Sequence, residues 1–328
     1  MRSLKDLNLL SVVAPVYNEA AGITAFVKEV VASLKALSLP CAFEIVIADD
    51  GSTDATPECL AALVEEYPEI LRVVRLTRNF GFCAASTAAV EHASGDIVIL
   101  MDADMQDDPA SFPLFLEQWC DGYAVVYAVR VTRQDGCLIR WLTWSFYRSL
   151  RVMAQLPLPL DAGTFALMDR RAVNALATLQ ERNRYIPGLR CWVGYRQTGI
   201  PVERRRRSSG GSRVGLRKLY DLAAMAMFSF SSMPLFAFRF LGFGAICLAM
   251  LIMIAGPVAM IFGWMRWPEV TVTFAIAFFG GINLLGIWVL GEYAVLIYDE
   301  VRRRPLYLVD KVVTSKSRSS MPEGNLKG

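Results

Sequence analysis

The sequence predicts an α/β domain, a mostly parallel sheet with helices on both faces, followed by a two-helix transmembrane hairpin. Three observations predict it. Up to about Pro201, short β-branched runs alternate with longer helical patterns, and such repetition builds a parallel sheet covered on both sides. Acidic residues gather where the predicted strands end, which is where ligands bind on such sheets. Beyond Pro201, Phe240–Met265 and Val270–Leu290 contain no charged residue. Each has the roughly 20 residues that a helix needs to cross a bilayer core.

The elements follow in order. "LLSVVAPV" reads as a first strand and "EAAGITAFVKEVVASLKAL" as the helix after it. "FEIVIADD" is a second strand, followed by the helix "ATPECLAALVEEY". "LRVVRLT" and "DIVILMDAD" are further strands, with the helix "CAASTAAVEHA" between them, and "YAVVYAVR" is a later strand. Asp169 in "MDRR" caps the helix "RRAVNALATL", because a carboxylate there accepts from the first backbone N–H groups of a helix. The strand ends carry Tyr17, Asn18 and Glu19, then Asp49 and Asp50, then Asp102 and Asp104.

Charge organises the second half. "ERRRRSSGGSRVGLRK" is basic and glycine-rich and reads as a loop. "LYDLAAMAMFSFSSM" is apolar enough to lie flat at a membrane interface. "GWMRWPE" between the two uncharged runs supplies a turn and interfacial tryptophans. A buried core helix is the alternative for each run, but two adjacent runs of this length exceed ordinary core helices. Arg204–Arg207, Arg213, Arg217 and Lys218 precede the first run; Arg302, Arg303, Arg304 and Lys311 follow the second; the loop between has Arg266. Positive flanks face the cytoplasm, so the sheet domain and both termini are expected there. The expected organisation is a cytoplasmic sheet domain over 1–203, a basic loop and interfacial helix over 204–234, two membrane helices within 235–298 (about 238–264 and 270–293), and a cytoplasmic tail over 299–328.

The chain has 328 residues, 54% of them hydrophobic, and a net charge of only +3, so nucleic acid is not an expected partner. Its seven cysteines show no CxxC pair and no ligand spacing, which argues against a zinc site or a disulfide framework. The single histidine, His92, sits in the polar stretch "EHASGD" and is expected at the surface, without the partners of a metal site. The apolar run near the N-terminus is broken by charge and by Pro15 and does not read as a signal peptide.

The stretch "ILMDADMQDDP" carries the chemistry. Asp102 and Asp104 repel each other unless something positive lies between them. A solvated turn is one reading. A divalent cation is the other, since hard cations take carboxylate oxygens and bridge diphosphates. Gln106 then adds an oxygen or holds a water. A base or nucleophile would have to come from elsewhere, and "LPLPLDAGTFALMDRR" offers Asp161, which local sequence alone favours as a turn cap before a helix.

"SVVAPVYNE", "IVIADDGSTDAT", "RNFGFCAA", "GDIVILMDADMQDDP" and "DAGTFALMDRR" together resemble the family 2 inverting glycosyltransferases with a GT-A nucleotide-diphospho-sugar transferase fold. The resemblance is to the polyprenyl-phosphate branch, which includes dolichol-phosphate mannose synthase and the bacterial undecaprenyl-phosphate glucosyltransferases and aminoarabinose transferase. "LGEYAVLIYDEVRRRPLYLVDKVV" is similar to the end of the two-span bacterial members. The resemblance implies that Pro15, Tyr17, Asn18, Glu19, Asp49 and Asp50 bind the donor nucleotide, joined by Asp102, Ala103, Asp104 and Arg130. It implies Asp102, Asp104 and Gln106 as the metal site for Mg²⁺ or Mn²⁺, with Asp104 counted in the catalytic machinery. Asp161 becomes the catalytic base or acceptor positioner, and Arg140, Arg207 and Arg213 meet the acceptor phosphate. The chain departs from the pattern at Phe82, Cys83 and Arg213, which bears on acceptor or sugar preference.

The resemblance further implies a nucleotide sugar donor, UDP-glucose first, a polyprenyl phosphate acceptor, a bacterial inner-membrane location and a homo-oligomer, tetrameric in the two-span relatives. Two alternatives stand beside it. A processive polysaccharide synthase carries QxxRW, but "CLIRW" has Cys137 in the glutamine's place. A catalytically silent scaffold would have lost a motif carboxylate, and none is lost.

Overall fold

The computed structural model describes residues 2–130, 162–179, 181–182, 184–203, 205, 238, 240–245, 247–248, 250–251 and 268–314. The strands are β1 Leu9–Val16, β2 Ala42–Asp49, β3 Leu71–Leu76, β4 Ile97–Leu100, β5 Val125–Arg130, β6 Ala162–Asp169, β7 Gln197–Val202 and β8 Val309–Val313. They form one eight-stranded sheet in the order β7-β5-β6-β4-β1-β2-β3-β8. β4, β1, β2 and β3 run parallel, as does β7 with β5. β6 runs against β4 and β5, and β8 against β3. Four of the seven pairings among the described residues are parallel, so the sheet is mixed, and the antiparallel pairs come from β6 and β8, which the strand–helix alternation did not foretell.

The helices are α1 Ile23–Ala36, α2 Thr56–Glu66, α3 Phe82–Glu91, α4 Phe112–Cys120, α5 Arg170–Thr178, α6 Ile186–Trp192 and α7 Pro268–Val301. β1 shows why both faces are covered. Leu10, Val12, Ala14 and Val16 enter one core with Phe26, Val27 and Val30 of α1 and Phe112 and Phe115 of α4. Val13 enters the other, with Ala85 and Ala88 of α3 and Val173 of α5. A strand buried on both faces is apolar at nearly every position, which is why β1 and β2 were legible. Pro15 is tolerated in a central strand because β4 stops at Leu100, opposite Val13. The N–H that Pro15 lacks would have faced that side, where no ladder continues.

Asp169 caps α5 as expected, its carboxylate accepting from Arg171 N (2.9 Å). His92 departs from a free surface position: it closes α3, with Nδ1 2.8 Å from Ala88 O and its ring against Tyr307.

Among the described residues, one helix, Phe278–Val301, is long and apolar enough to cross a membrane. Its side chains point outward: Leu284 is 70% exposed and Ile287 65%. A core helix would bury them, so that alternative fails for this run. The described residues within 238–251 are helical too, and Phe240, Phe243 and Met250 are exposed. A Cβ at Gly286 would lie 2.8 Å from the Phe238 ring, so glycine there permits the close approach of these two segments.

The stretch expected as a tail from residue 299 is different. It holds the last turn of α7, then β8, whose Val309 pairs with Leu76. Thr77 N donates to Leu308 O (3.0 Å), and Tyr307 Oη donates to Glu91 Oε2 (2.5 Å). The chain beyond the apolar helix thus returns to the sheet.

Candidate active site

β1, β2 and β4 run in one direction and release their chains at one rim of the sheet. The loops after β1 and β2 are laced together. Asn18 N donates to Ser52 Oγ (3.0 Å), Thr53 N donates to Asn18 Oδ1 (2.9 Å), and Glu19 N donates to Thr56 Oγ1 (2.9 Å). Asn18 sits at φ 53, a left-handed conformation that asparagine accepts more readily than most residues. Tyr17 stands beside it, exposed.

Asp49 ends β2 and is buried. Its Oδ1 accepts from Ser52 N (2.9 Å), and Arg75 Nε lies 3.8 Å from Oδ2. Among the described residues Oδ2 has no hydrogen-bond partner, so a buried acceptor waits for a donor. Unsatisfied buried acceptors are costly, which marks Asp49 Oδ2 as a polar atom able to accept from a bound ligand. Asp50 turns the other way: Phe80 N (2.7 Å) and Gly81 N (2.9 Å) donate to its carboxylate. Burial pushes the Asp50 carboxyl up against these two bonds, and the neighbouring Asp49 charge adds to the rise. Gly51 follows at φ +65, and a Cβ there would lie 2.5 Å from the Arg78 carbonyl carbon, so only glycine turns the chain here.

The loop after β4 holds Asp102, Ala103, Asp104, Met105 and Gln106. Asp102 N donates to Asp107 Oδ2 (3.1 Å), Gln106 N to Asp104 Oδ1 (3.1 Å), and Thr164 Oγ1 to Asp102 Oδ1 (3.1 Å). These bonds set the direction of the carboxylates. Met105 is held at φ 62, strain of the kind that gathers at binding loops. Arg205 crosses to this loop from beyond β7. Its N donates to Gln106 O (3.0 Å), and its guanidinium grips both oxygens of Asp108 (3.1 and 2.7 Å) and reaches Glu29.

Among the described residues, no three His, Cys, Asp or Glu side chains converge on a metal cage. Asp102, Asp104 and Gln106 follow one another on the loop after β4, and carboxylate and amide oxygens are donors of the kind a hard divalent cation accepts.

Residues 11–177 match the family model described as glycosyl transferase family 2. The SfII prophage-derived bactoprenol glucosyl transferase of Shigella flexneri is 35% identical, covering 92% of this chain and 97% of its own. The prophage bactoprenol glucosyl transferase homolog of Escherichia coli K12 is 33% identical, covering 92% and 99%. A glycosyltransferase of Synechocystis, itself uncharacterized, is 36% identical, covering 92% and 94%. The chain belongs to glycosyl transferase family 2.

In this glycosyltransferase the rim gathers the expected residues Pro15, Tyr17, Asn18, Glu19, Asp49 and Asp50 from β1 and β2, and Asp102, Ala103, Asp104 and Gln106 from β4. Arg130 ends β5, which runs in the same direction as β4. Asp161, Arg140, Arg207 and Arg213 lie outside the described residues. The carboxylate of Asp50, expected on the nucleotide, grips the start of α3. Sequence reasoning missed Ser52, Thr53 and Thr56, although the polar run "DDGSTDAT" signalled them. It also missed Arg75, Thr164, Arg190 and Arg205, for which no local pattern spoke.

Proposed function

We propose that this glycosyltransferase moves glucose from a nucleoside diphosphate donor, UDP-glucose first, to a polyprenyl phosphate at the cytoplasmic face of a bacterial inner membrane. One topological observation carries the reading. β7 ends, and β8 begins, at the rim that holds Asp102 and Asp104, and these are the strands before and after the apolar helices. A lipid phosphate seated in the bilayer then meets the donor without leaving the membrane, and the anchor raises its effective concentration. The relatives' names, bactoprenol glucosyl transferase, supply the acceptor and the sugar.

The same strands support a two-helix hairpin. β7 and β8 belong to one sheet, so the chain between them crosses a bilayer an even number of times. Phe278–Val301 supplies one crossing, and the helical residues within 238–251, with their exposed apolar side chains, supply the second. Arg302, Arg303 and Arg304 then lie on the sheet side with both termini, in keeping with the positive-inside rule.

The reaction is a single displacement with inversion. A phosphate oxygen of the lipid forms a bond to the anomeric carbon as the bond to the diphosphate oxygen breaks, and the electron pair leaves with the nucleoside diphosphate. Asp49 and the Asn18–Ser52 loops hold the nucleoside. Asp161 orients the acceptor, whose phosphate is already anionic and needs little base strength, and Arg140, Arg207 and Arg213 attract that phosphate. Asp102, Asp104 and Gln106 hold Mg²⁺ or Mn²⁺, which when bound supplies positive charge to the leaving diphosphate.

The test is a donor screen with the full chain, undecaprenyl phosphate and labelled nucleotide sugars, followed by mass spectrometry of the lipid. Label from UDP-glucose in the organic phase is expected. Insoluble polymer would replace this reading with a processive synthase, and silence with every donor would leave a scaffold.

A further inference from the structure

Asp102 is held from a strand distant in sequence. Thr164 is the third residue of β6, and its hydroxyl donates to Asp102 Oδ1 (3.1 Å). Thr164 is itself fixed on two sides. Arg190 of α6 is 0% exposed and donates from Nη1 to Thr164 O (3.2 Å) and from Nη2 to Gly163 O (2.9 Å). Its guanidinium lies 5.6 Å from the centre of the Tyr127 ring. Burial lowers its pKa to about 10, so at neutral pH it remains a cation aimed at two carbonyls. The next residue, Phe165, is clamped edge-on by Phe115 (4.7 Å) and Phe112 (6.4 Å).

Burying a charge is costly unless its donors are used; among the described residues Nε of Arg190 has no partner, while Nη1 and Nη2 both donate to β6. These two set the backbone that presents the Thr164 hydroxyl. We propose that Thr164 is a positioning residue for the ion site, fixing the Asp102 carboxylate, and that Arg190 fixes Thr164 in turn. The inference rests on the reading of Asp102 as an ion ligand. A neutral hydroxyl suits this task because it sets the carboxylate's direction and leaves its charge for the cation, whereas an arginine would compete with the ion. Partners that orient a ligand in this way change metal affinity by roughly 10- to 100-fold when removed.

The experiment uses the full chain in detergent with UDP and Mn²⁺, and follows free Mn²⁺ by electron paramagnetic resonance. Thr164→Val keeps the shape and deletes the hydroxyl, and is expected to weaken Mn²⁺ binding about tenfold. Thr164→Ser restores the hydroxyl and is expected to bind as the parent does. In transfer assays Thr164→Val raises the Mn²⁺ concentration needed for half-maximal rate, while the rate at saturating Mn²⁺ stays close to the parent's. A purely structural Thr164 would lower the melting temperature in the valine variant and leave the Mn²⁺ affinity of the folded fraction unchanged, which would overturn the proposal. Asp102→Asn in the same titration separates the two layers: unchanged Mn²⁺ binding in that variant would remove the ion site itself.

Discussion

The two rims of the sheet use the same residue types to opposite ends. At the amino rim, Glu44 accepts from Ser11 Oγ (2.7 Å) and Ser94 N (2.6 Å) and pairs with Arg72 (3.5 Å). Asp96 accepts from Asn8 N and Leu9 N, and Asp169 pairs with Arg2 and Arg171. At the carboxyl rim, the donors described for Asp102 and Asp104 are a hydroxyl and a backbone N–H. Glu44 and Asp169 meet arginines, and Asp96 holds the backbone at the start of β1, so the acids of the first rim tie one element to the next. At the second rim Arg205 grips Asp108 and Arg75 lies beside Asp49, while a hydroxyl and a backbone N–H orient Asp102 and Asp104 on their loop. The first set joins strands, and the second shapes the loops where the strands end.

The comparison can be broken most directly at the carboxyl rim. Asp102→Asn and Asp104→Asn are each expected to lower lipid glycosylation by about 10²- to 10³-fold, with an unchanged melting curve, measured as label in the organic phase. Normal turnover in either variant would mean that the rims do not differ in this way.

At the amino rim the expectation reverses. Glu44→Ala leaves the Ser11 hydroxyl and the Ser94 N–H without their acceptor and removes the ion pair of Arg72 Nη2, and should cost about 1–3 kcal/mol of stability. Transfer per folded molecule should not change. Denaturant melts and a specific activity corrected for the folded fraction check both halves.

A smaller effect is expected at Glu91, which bonds Tyr307 near the apolar helix. Tyr307→Phe removes an exposed hydrogen bond and should lower stability by about 1 kcal/mol, a fall of roughly 2–4 °C in a thermal scan. A drop in transfer without a drop in melting temperature would place this contact with the chemistry instead. A chain cut after Ser232 would lose β8 as well as the helices, so tests of the membrane anchor must retain β8.

The smallest effect is one of pH. Burial pushes the Asp169 carboxyl up, but hydrogen bonds from Arg171 and the charges of Arg2 and Arg171 outweigh it and hold the group below its ordinary 3.8. Folding therefore favours the ionised form. The contribution is full above pH 3.8 and fades as pH falls through the lower folded value. Asp169→Asn should flatten the acid limb of the stability curve in that window and lower stability near neutrality, where the carboxylate's contribution is full.

How much of this was legible depended on whether the signal was local. β1 to β5 and the helices α1 to α3 were legible because buried strands are rich in apolar residues and the helices between them are periodic, whereas α4 was not foreseen. The acids at strand ends were legible because the sheet's direction places them together. β7 was not, since Gly199 and Pro201 weaken its strand pattern; it pairs with β5 at the sheet's margin. β8 was not, because its partner β3 lies at the far end of the chain and "VDKVV" follows a helix that pointed to membrane. Arg190 was not, because an arginine in "GLRCW" carries no mark of burial until α6 packs on β6. Asp50 was visible, but the turn that sends its carboxylate to Phe80 and Gly81 is set by tertiary contact.

The closing of the sheet by β8 also fixes an order of events in synthesis. β3 leaves the ribosome early, whereas its antiparallel partner is made only after the whole of α7. Until then one margin of the sheet is an unpaired edge, the kind of surface that sticks to other chains. The domain therefore completes itself only once its hydrophobic helix has been produced, so a nascent chain that stops short of Val309 carries an enzyme with an open flank.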